Sequence, residues 1–244
     1  MTRGFLKITT ANLRFMSQAL PSARKIASHI IQINPRFEVV IERAGFCTIG
    51  ARTDGRSVVG GTKSNTGKSR KGKGSNFASL ASSILSQQLS TKAAATIIGR
   101  VEEICGGTLQ AKKLTEISAA KLRAAGCSNS KTRAVRELAR ASVTNQIPMK
   151  NLHRLSDEEI MQHLLPMYGI GKWTVEMFLM FQLERVDVWP VGDLGVRRGW
   201  ERIHRMRGEI TPEALSKLGA SYAPYRSHVA WYCWRANEVL PTKG

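Results

Sequence analysis

The stretch Leu165–Arg198, LPMYGIGKWTVEMFLMFQLERVDVWPVGDLGVRR, constrains this chain more than any other part of it. It opens on a turn, Met167-Tyr168-Gly169-Ile170-Gly171, read as too tight for side chains at its two glycines. A helix follows at once, with Trp173, Val175, Met177, Phe178, Leu179 and Phe181 among few polar residues, and gives out near Gln182. A short apolar connector, Val186 to Val191, then delivers one carboxylate, Asp193, just ahead of a helix carrying Arg197 and Arg198. Glycines let neighbouring backbone N–H groups turn outward together, and at a helix N-terminus such a turn forms a nest for an anion.

Charge says which anion. The chain of 244 residues carries a net +19, with a sequence pI of about 10.4, so a polyanionic partner is expected and a nucleic-acid phosphate is the simplest candidate. The excess is steepest in residues 1–75, with 14 Lys/Arg against 3 Asp/Glu. Cys47, Cys105, Cys127 and Cys233 lie far apart with no CxxC spacing, which argues for buried thiols in a reducing compartment. The five histidines show no metal-ligand spacing, and no apolar run approaches a membrane span. An intracellular location with DNA is expected. Residues 1–37, which lack acids and carry scattered Arg and Ser, also look like an organellar transit peptide, although Lys25–Ile33 already has the pattern of a domain helix.

Along the chain, residues 1–20 read as an extension and residues 21–244 as one helical domain. The spacing predicts helices from Pro21 to Asn34, from Phe77 through Leu89, over Thr91–Cys105, Ile117–Ala125 and Lys131–Val143, and from the capping box at Ser156–Glu159 to Leu165. Further helices start at Thr211-Pro212 and at Pro224. Phe46 to Val59 has the pattern of short strands or a hairpin. Residues 60–75 are Gly, Ser and Lys with no apolar anchor, and read as a disordered basic loop. The TGKS at Thr66–Ser69 imitates a phosphate-binding P-loop, but the motif needs a glycine where Thr62 stands, so nucleotide binding there is rejected. Many short helices with few strand signals define an all-α fold, with two lobes and a cleft between them.

Four separated segments share one resemblance. Tyr168-Gly169-Ile170-Gly171 followed by Lys172-Trp173-Thr174 resembles the helix–hairpin–helix of the DNA glycosylase superfamily, and Gly192-Asp193 falls where that superfamily keeps its catalytic aspartate. Ile84-Leu85-Ser86-Gln87-Gln88-Leu89-Ser90, Trp189-Pro190-Val191-Gly192-Asp193 and Pro224-Tyr225-Arg226-Ser227 with Trp234 are similar to its 3-methyladenine DNA glycosylase II branch. The resemblance implies a two-lobed helical fold without a large N-terminal sheet domain, acting as a monomer on double-stranded DNA containing a damaged base. It also implies excision of alkylated purines. Relatives that cut the strand carry a lysine where this chain has Trp173, so release of the base alone is expected, without lyase activity. Iron–sulfur relatives end in four close cysteines and this chain has only Cys233 there, so no cluster is expected.

The resemblance also assigns candidate roles. Asp193 is the carboxylate that would face the sugar, with Asp187 and Glu176 as rivals and helix capping as its plainer alternative. Trp173 and Trp234 are the flat walls of a base pocket, joined by Glu176 and Met177, with Tyr168, Tyr222 and Trp231 as outside candidates. Gln88, or Gln87 beside it, is the wedge that fills the gap left by a flipped base. Tyr168, Gly169, Gly171, Lys172, Arg197 and Arg198 are the phosphate contacts, with a monovalent cation possible at the backbone of Gly169 and Gly171. A helix–hairpin–helix protein that binds DNA without catalysis is the competing reading, and a glycosylase for oxidised or mismatched bases is a third.

Overall fold

The structure is a computed structural model and describes residues 21–50 and 74–241. The extension at 1–20 and most of the basic loop at 60–75 lie outside the described residues. Among those described, twelve α-helices and no β-strand are found: α1 (Ala23–Ile33), α2 (Glu38–Ala44), α3 (Asn76–Ser86), α4 (Thr91–Ile104), α5 (Ala111–Glu116), α6 (Ala119–Ala124), α7 (Asn129–Val143), α8 (Asp157–Leu164), α9 (Lys172–Met177), α10 (Leu194–His204), α11 (Pro212–Gly219) and α12 (Arg226–Val239).

Hydroxyl caps punctuate the fold. Ser22, Ser75, Ser90, Ser118, Ser128, Ser156 and Thr211 each accept a first-turn N–H of the helix that follows, satisfying a donor with no partner inside the helix. At α8 the box is complete, because Glu159 also accepts the N–H of Ser156. Phe46–Gly50, expected in strands, is irregular backbone instead, and residues 51–59 of that expectation fall outside the described residues. Helix α3 stops at Ser86, three residues short of the predicted end, and leaves Leu89 exposed. Helix α5 had no counterpart in the sequence reading. It has no side-chain cap and buries only Leu114.

The helices pack as two lobes that share one core. Helix α2 packs on α12 and α12 on α10, with α1 joined to them through the short turns Pro35–Phe37 and Ala220–Tyr222, so both ends of the described chain build one lobe; α3 to α9 build the other. In the first lobe α10 and α12 cross in backbone contact. A Cβ built on Gly199 of α10 would stand 1.8 Å from the Cys233 carbonyl oxygen of α12, so only glycine permits this approach. Around it Phe37, Trp200, Tyr222 and His204 pack edge to face or stacked. In the second lobe α7 lies against α3 and α5, and α9 continues into a wider π-type turn over Phe178–Gln182 that ends at Leu183. All four cysteines are buried and free, and burial pushes the Cys47 thiol up to about 12.

Candidate active site and DNA interface

The seam between the lobes is where the singled-out residues meet. Asp193 caps α10: its Oδ1 accepts the N–H of Val196 at 2.8 Å. The same oxygen accepts the indole N–H of Trp234, from α12, at 2.8 Å, and Oδ2 accepts the indole N–H of Trp173, from α9, at 2.6 Å. One carboxylate thus ties the hairpin helix of one lobe to two helices of the other. Three donors converge on it, and an ionised carboxylate, which only accepts, offers about four acceptor positions. One is left over.

Small residues make that convergence possible. Gly199 brings α12 close enough for Trp234 to reach Asp193, and a Cβ on Gly195 would fall 2.8 Å from the Trp234 ring and 3.0 Å from Asp193 Oδ1. Asn237 donates its amide to the Gly195 carbonyl at 2.8 Å, and Phe181 packs on Trp234 with ring centroids 5.8 Å apart. Gly195, Gly199, Asn237 and Phe181 had no site role in the sequence reading. Their signal was helical spacing alone: Gly195 and Gly199 share one face of α10, and Asn237 lies one turn beyond Cys233. Trp173 remains 52 % exposed.

Of the other pocket candidates, Met177 is half-buried and Glu176 is only 4 % exposed. Burial pushes the Glu176 carboxyl above the ordinary range; the Lys172 ammonium, 3.7 Å away, pulls it back, and the charge of Asp193 adds to the rise. The rival acid Asp187 is committed elsewhere, forming a bidentate pair with the Arg226 guanidinium at 2.7 Å on each arm while also accepting the Arg226 N–H. Tyr222 is buried in the aromatic group with Phe37 and Trp200, and Trp231 packs on Tyr232, so neither stands with Asp193.

The hairpin has the geometry of a nest, with one correction. Gly169 has φ +80°, and a Cβ there would stand 2.9 Å from the Ala134 Cβ of α7, so the fold requires glycine. Gly171 has φ −96°, and a Cβ there would meet nothing within 4 Å. The turn is tight at the first glycine only. Ile170 N donates to Met167 O, whereas the N–H groups of Gly169 and Gly171 have no partner among the described residues. Tyr168 is exposed beneath the guanidinium of Arg133, 4.0 Å from its ring centre. Lys172 and Arg198 are exposed, and Arg197 is part-buried, with one guanidinium N–H donating to the Ile210 carbonyl at 3.4 Å. A cation at the two glycines would need their carbonyl oxygens. Gly169 O accepts Gln87 Nε2 and Gly171 O accepts Val175 N, and each carbonyl keeps a second lone pair.

The two glutamines separate. Gln87 is bound to the hairpin through that 2.9 Å contact, and Gln88 is exposed at the tip of the turn with φ +57°.

A hairpin with two N–H groups unpartnered among the described residues, joined through Trp173 to an aspartate capping the next long helix, defines a helix–hairpin–helix base-excision architecture. The chain matches the model of that family, described as HhH-GPD superfamily base excision DNA repair protein, over residues 81–224, and it belongs to this superfamily. It is similar to DNA-3-methyladenine glycosylase 1 of Schizosaccharomyces pombe, 35 % identical over 166 residues that cover 67 % of this chain and 73 % of the relative. Among solved structures it is similar to DNA-3-methyladenine glycosidase from Bacillus halodurans, with a TM-score of 0.72 at 32 % identity, covering 88 % of this chain and 89 % of that one. The S. pombe 3-methyladenine DNA glycosylase in complex with abasic DNA gives a TM-score of 0.72 at 29 % identity, covering 90 % of this chain and all of that one. The protein is a DNA-binding base-excision glycosylase by family. Among the described residues, no helix is long and apolar enough to cross a membrane.

Proposed function

We propose that the protein is a monofunctional DNA glycosylase that extrudes alkylated purines of the 3-methyladenine type from duplex DNA, hydrolyses their N-glycosidic bond and leaves an abasic site. The observation that carries this reading is the Asp193 carboxylate held between the indole N–H groups of Trp173 and Trp234. Breaking the bond between sugar and base builds positive charge on the deoxyribose. A preorganised carboxylate stabilises that charge, and its remaining acceptor position can orient or deprotonate the attacking water. Gly192 beside it has no neighbour within 4 Å of a built Cβ, which lets a sugar come close.

The substrate class follows from the rings. N-alkylation of a purine such as 3-methyladenine leaves the base cationic, and a cation over an indole gains about 0.5–2 kcal/mol. The same charge weakens the glycosidic bond, so little assistance to the leaving base is needed. With Trp173 at the second position past Gly171, no amine stands where strand-cutting relatives keep one. The nearby Lys172 ammonium pairs with Glu176 rather than with Asp193.

Grip and extrusion fall to the hairpin and the α3 tip. The free N–H groups of Gly169 and Gly171, with Lys172 and Arg198 beside them, suit a DNA phosphate. The fold gives no steric reason for a bare Gly171, and close approach of a DNA backbone supplies one. Gln88, exposed and free of the hairpin, is the wedge in this reading, and one monomer serves one lesion. The test is incubation with methylated duplex DNA, scoring free base and alkali-labile sites. Release of 3-methyladenine is expected, and no release by the intact protein would leave a non-catalytic DNA binder.

A further inference from the structure

The neighbours Gln87 and Gln88 have different surroundings, and the difference carries an inference. Helix α3 ends at Ser86, and its final turn is held from outside at two points. Lys131 of α7 donates its ammonium to the Leu85 carbonyl at 2.8 Å, occupying an acceptor that a helix C-terminus leaves unpaired. Gln87 donates its side-chain amide to the Gly169 carbonyl at 2.9 Å. Gly169 in turn packs on Ala134, which also belongs to α7. The contacts close a ring: α3 tip, hairpin, α7 and back to α3. Gln88 projects from this ring with a left-handed backbone, its turn closed by Leu89 N donating to Ser86 O at 3.2 Å.

We propose that Gln87 is a positioning residue that locks the Gln88 tip to the phosphate-gripping hairpin, so that seating the backbone on the hairpin drives Gln88 into the base stack as one rigid unit. This rests on the reading of Gln88 as the wedge. The chemistry of the contact is specific. A carbonyl needs a donor, and the amide reaches it, whereas a carboxylate at residue 87 would set oxygen against oxygen. For Gln87 to serve as the wedge, it would have to leave that carbonyl and unfasten the tip from the hairpin.

The test uses the full chain and four variants: Gln87→Ala, Gln87→Glu, Gln88→Ala and the double alanine. The readouts are single-turnover base release from methylated duplex, fluorescence of a 2-aminopurine stacked next to the lesion, affinity for undamaged duplex, and Tm. Gln87→Ala is expected to lower release and the unstacking signal on the order of tenfold, with Gln87→Glu at least as severe. Tm should stay within about 4 °C and affinity for undamaged duplex should be unchanged, because the hairpin grip is intact. The double variant should lose no more than Gln88→Ala, since both act through one displacement. Additive losses, or full release by Gln87→Ala, overturn the coupling. Loss of the unstacking signal in Gln87→Ala with its retention in Gln88→Ala makes Gln87 the wedge itself. Full release and full signal in Gln88→Ala defeat the wedge reading beneath the proposal, a separate result because it appears without touching Gln87.

Discussion

Trp234 donates its indole N–H to Asp193 Oδ1 at 2.8 Å, on the oxygen that also caps α10. The proposed pocket wall and the proposed catalytic acid are therefore parts of one hydrogen-bonded object, completed by Trp173 on the other oxygen. The carboxylate cannot turn without breaking a helix cap and two indole contacts.

That coupling predicts a split between the two tryptophans. A hydrogen bond to a charged group contributes about 1.5–3 kcal/mol. Trp234→Phe should lower base release by roughly 10- to 100-fold and lower Tm, because the ring is half-buried against Phe181. Trp173→Phe should lower release by a similar factor with a smaller fall in Tm, because the ring is already half exposed. Single-turnover kinetics with thermal melts check both.

The hairpin glycines should part in the opposite sense. Gly169→Ala forces a side chain onto Ala134 at a positive φ and should cost stability by about 1–3 kcal/mol. Gly171→Ala meets no atom of the described residues within 4 Å, so Tm should hold while DNA affinity falls as the methyl meets the phosphate backbone. Melts and anisotropy titrations on the pair of variants decide it.

Gly199→Ala should be among the most damaging single changes in the chain. Its Cβ would overlap the Cys233 carbonyl, so α10 and α12 must separate and Trp234 must leave Asp193. A loss of more than about 4 kcal/mol is expected, read from denaturant unfolding as a lowered midpoint or an insoluble product.

Acid should weaken the fold through His228. The ring is fully buried on α12 with both nitrogens unpartnered among the described residues, and burial pushes its pKa from 6.5 down to about 4. The unfolded chain takes up its proton first as pH falls. The stabilisation is therefore complete above 6.5 and lost as pH drops towards 4, by roughly 3 kcal/mol. His228→Phe should flatten this part of the stability profile, which denaturant unfolding across that range measures.

Much of this arrangement was legible in the sequence because it rests on local chemistry. The turn at Gly169, the box at Ser156, the Thr211-Pro212 start and the all-α class follow from spacing and caps, and the caps at Ser75, Ser90, Ser118 and Ser128 were readable by the same rule. Asp193 and the hairpin glycines stood out from their residues, the wedge and pocket roles came from the resemblance, and the bonding came from the fold. Nothing in the local sequence distinguishes Gln87 from Gln88; the contact to Gly169 and the left-handed backbone of Gln88 do. Arg197 carries a full charge yet turns to Ile210, and Asp187 is spent on Arg226, 39 residues away. Helix α5 escaped notice because it has neither a side-chain cap nor an apolar stripe. Long-range pairing decided each of these, except α5, where the local signal was absent.

The central claim is that Asp193 acts on the sugar beyond its structural role as a cap. Single-turnover release of 3-methyladenine by Asp193→Asn, compared with Asp187→Asn and with binding to a duplex holding an abasic analogue, tests it most directly. Release should fall by at least about 100-fold in Asp193→Asn with abasic-duplex affinity held within a few-fold, while Asp187→Asn lowers Tm and keeps its rate. Release by Asp193→Asn within about twofold of the unaltered protein, with the fold intact, would contradict the account.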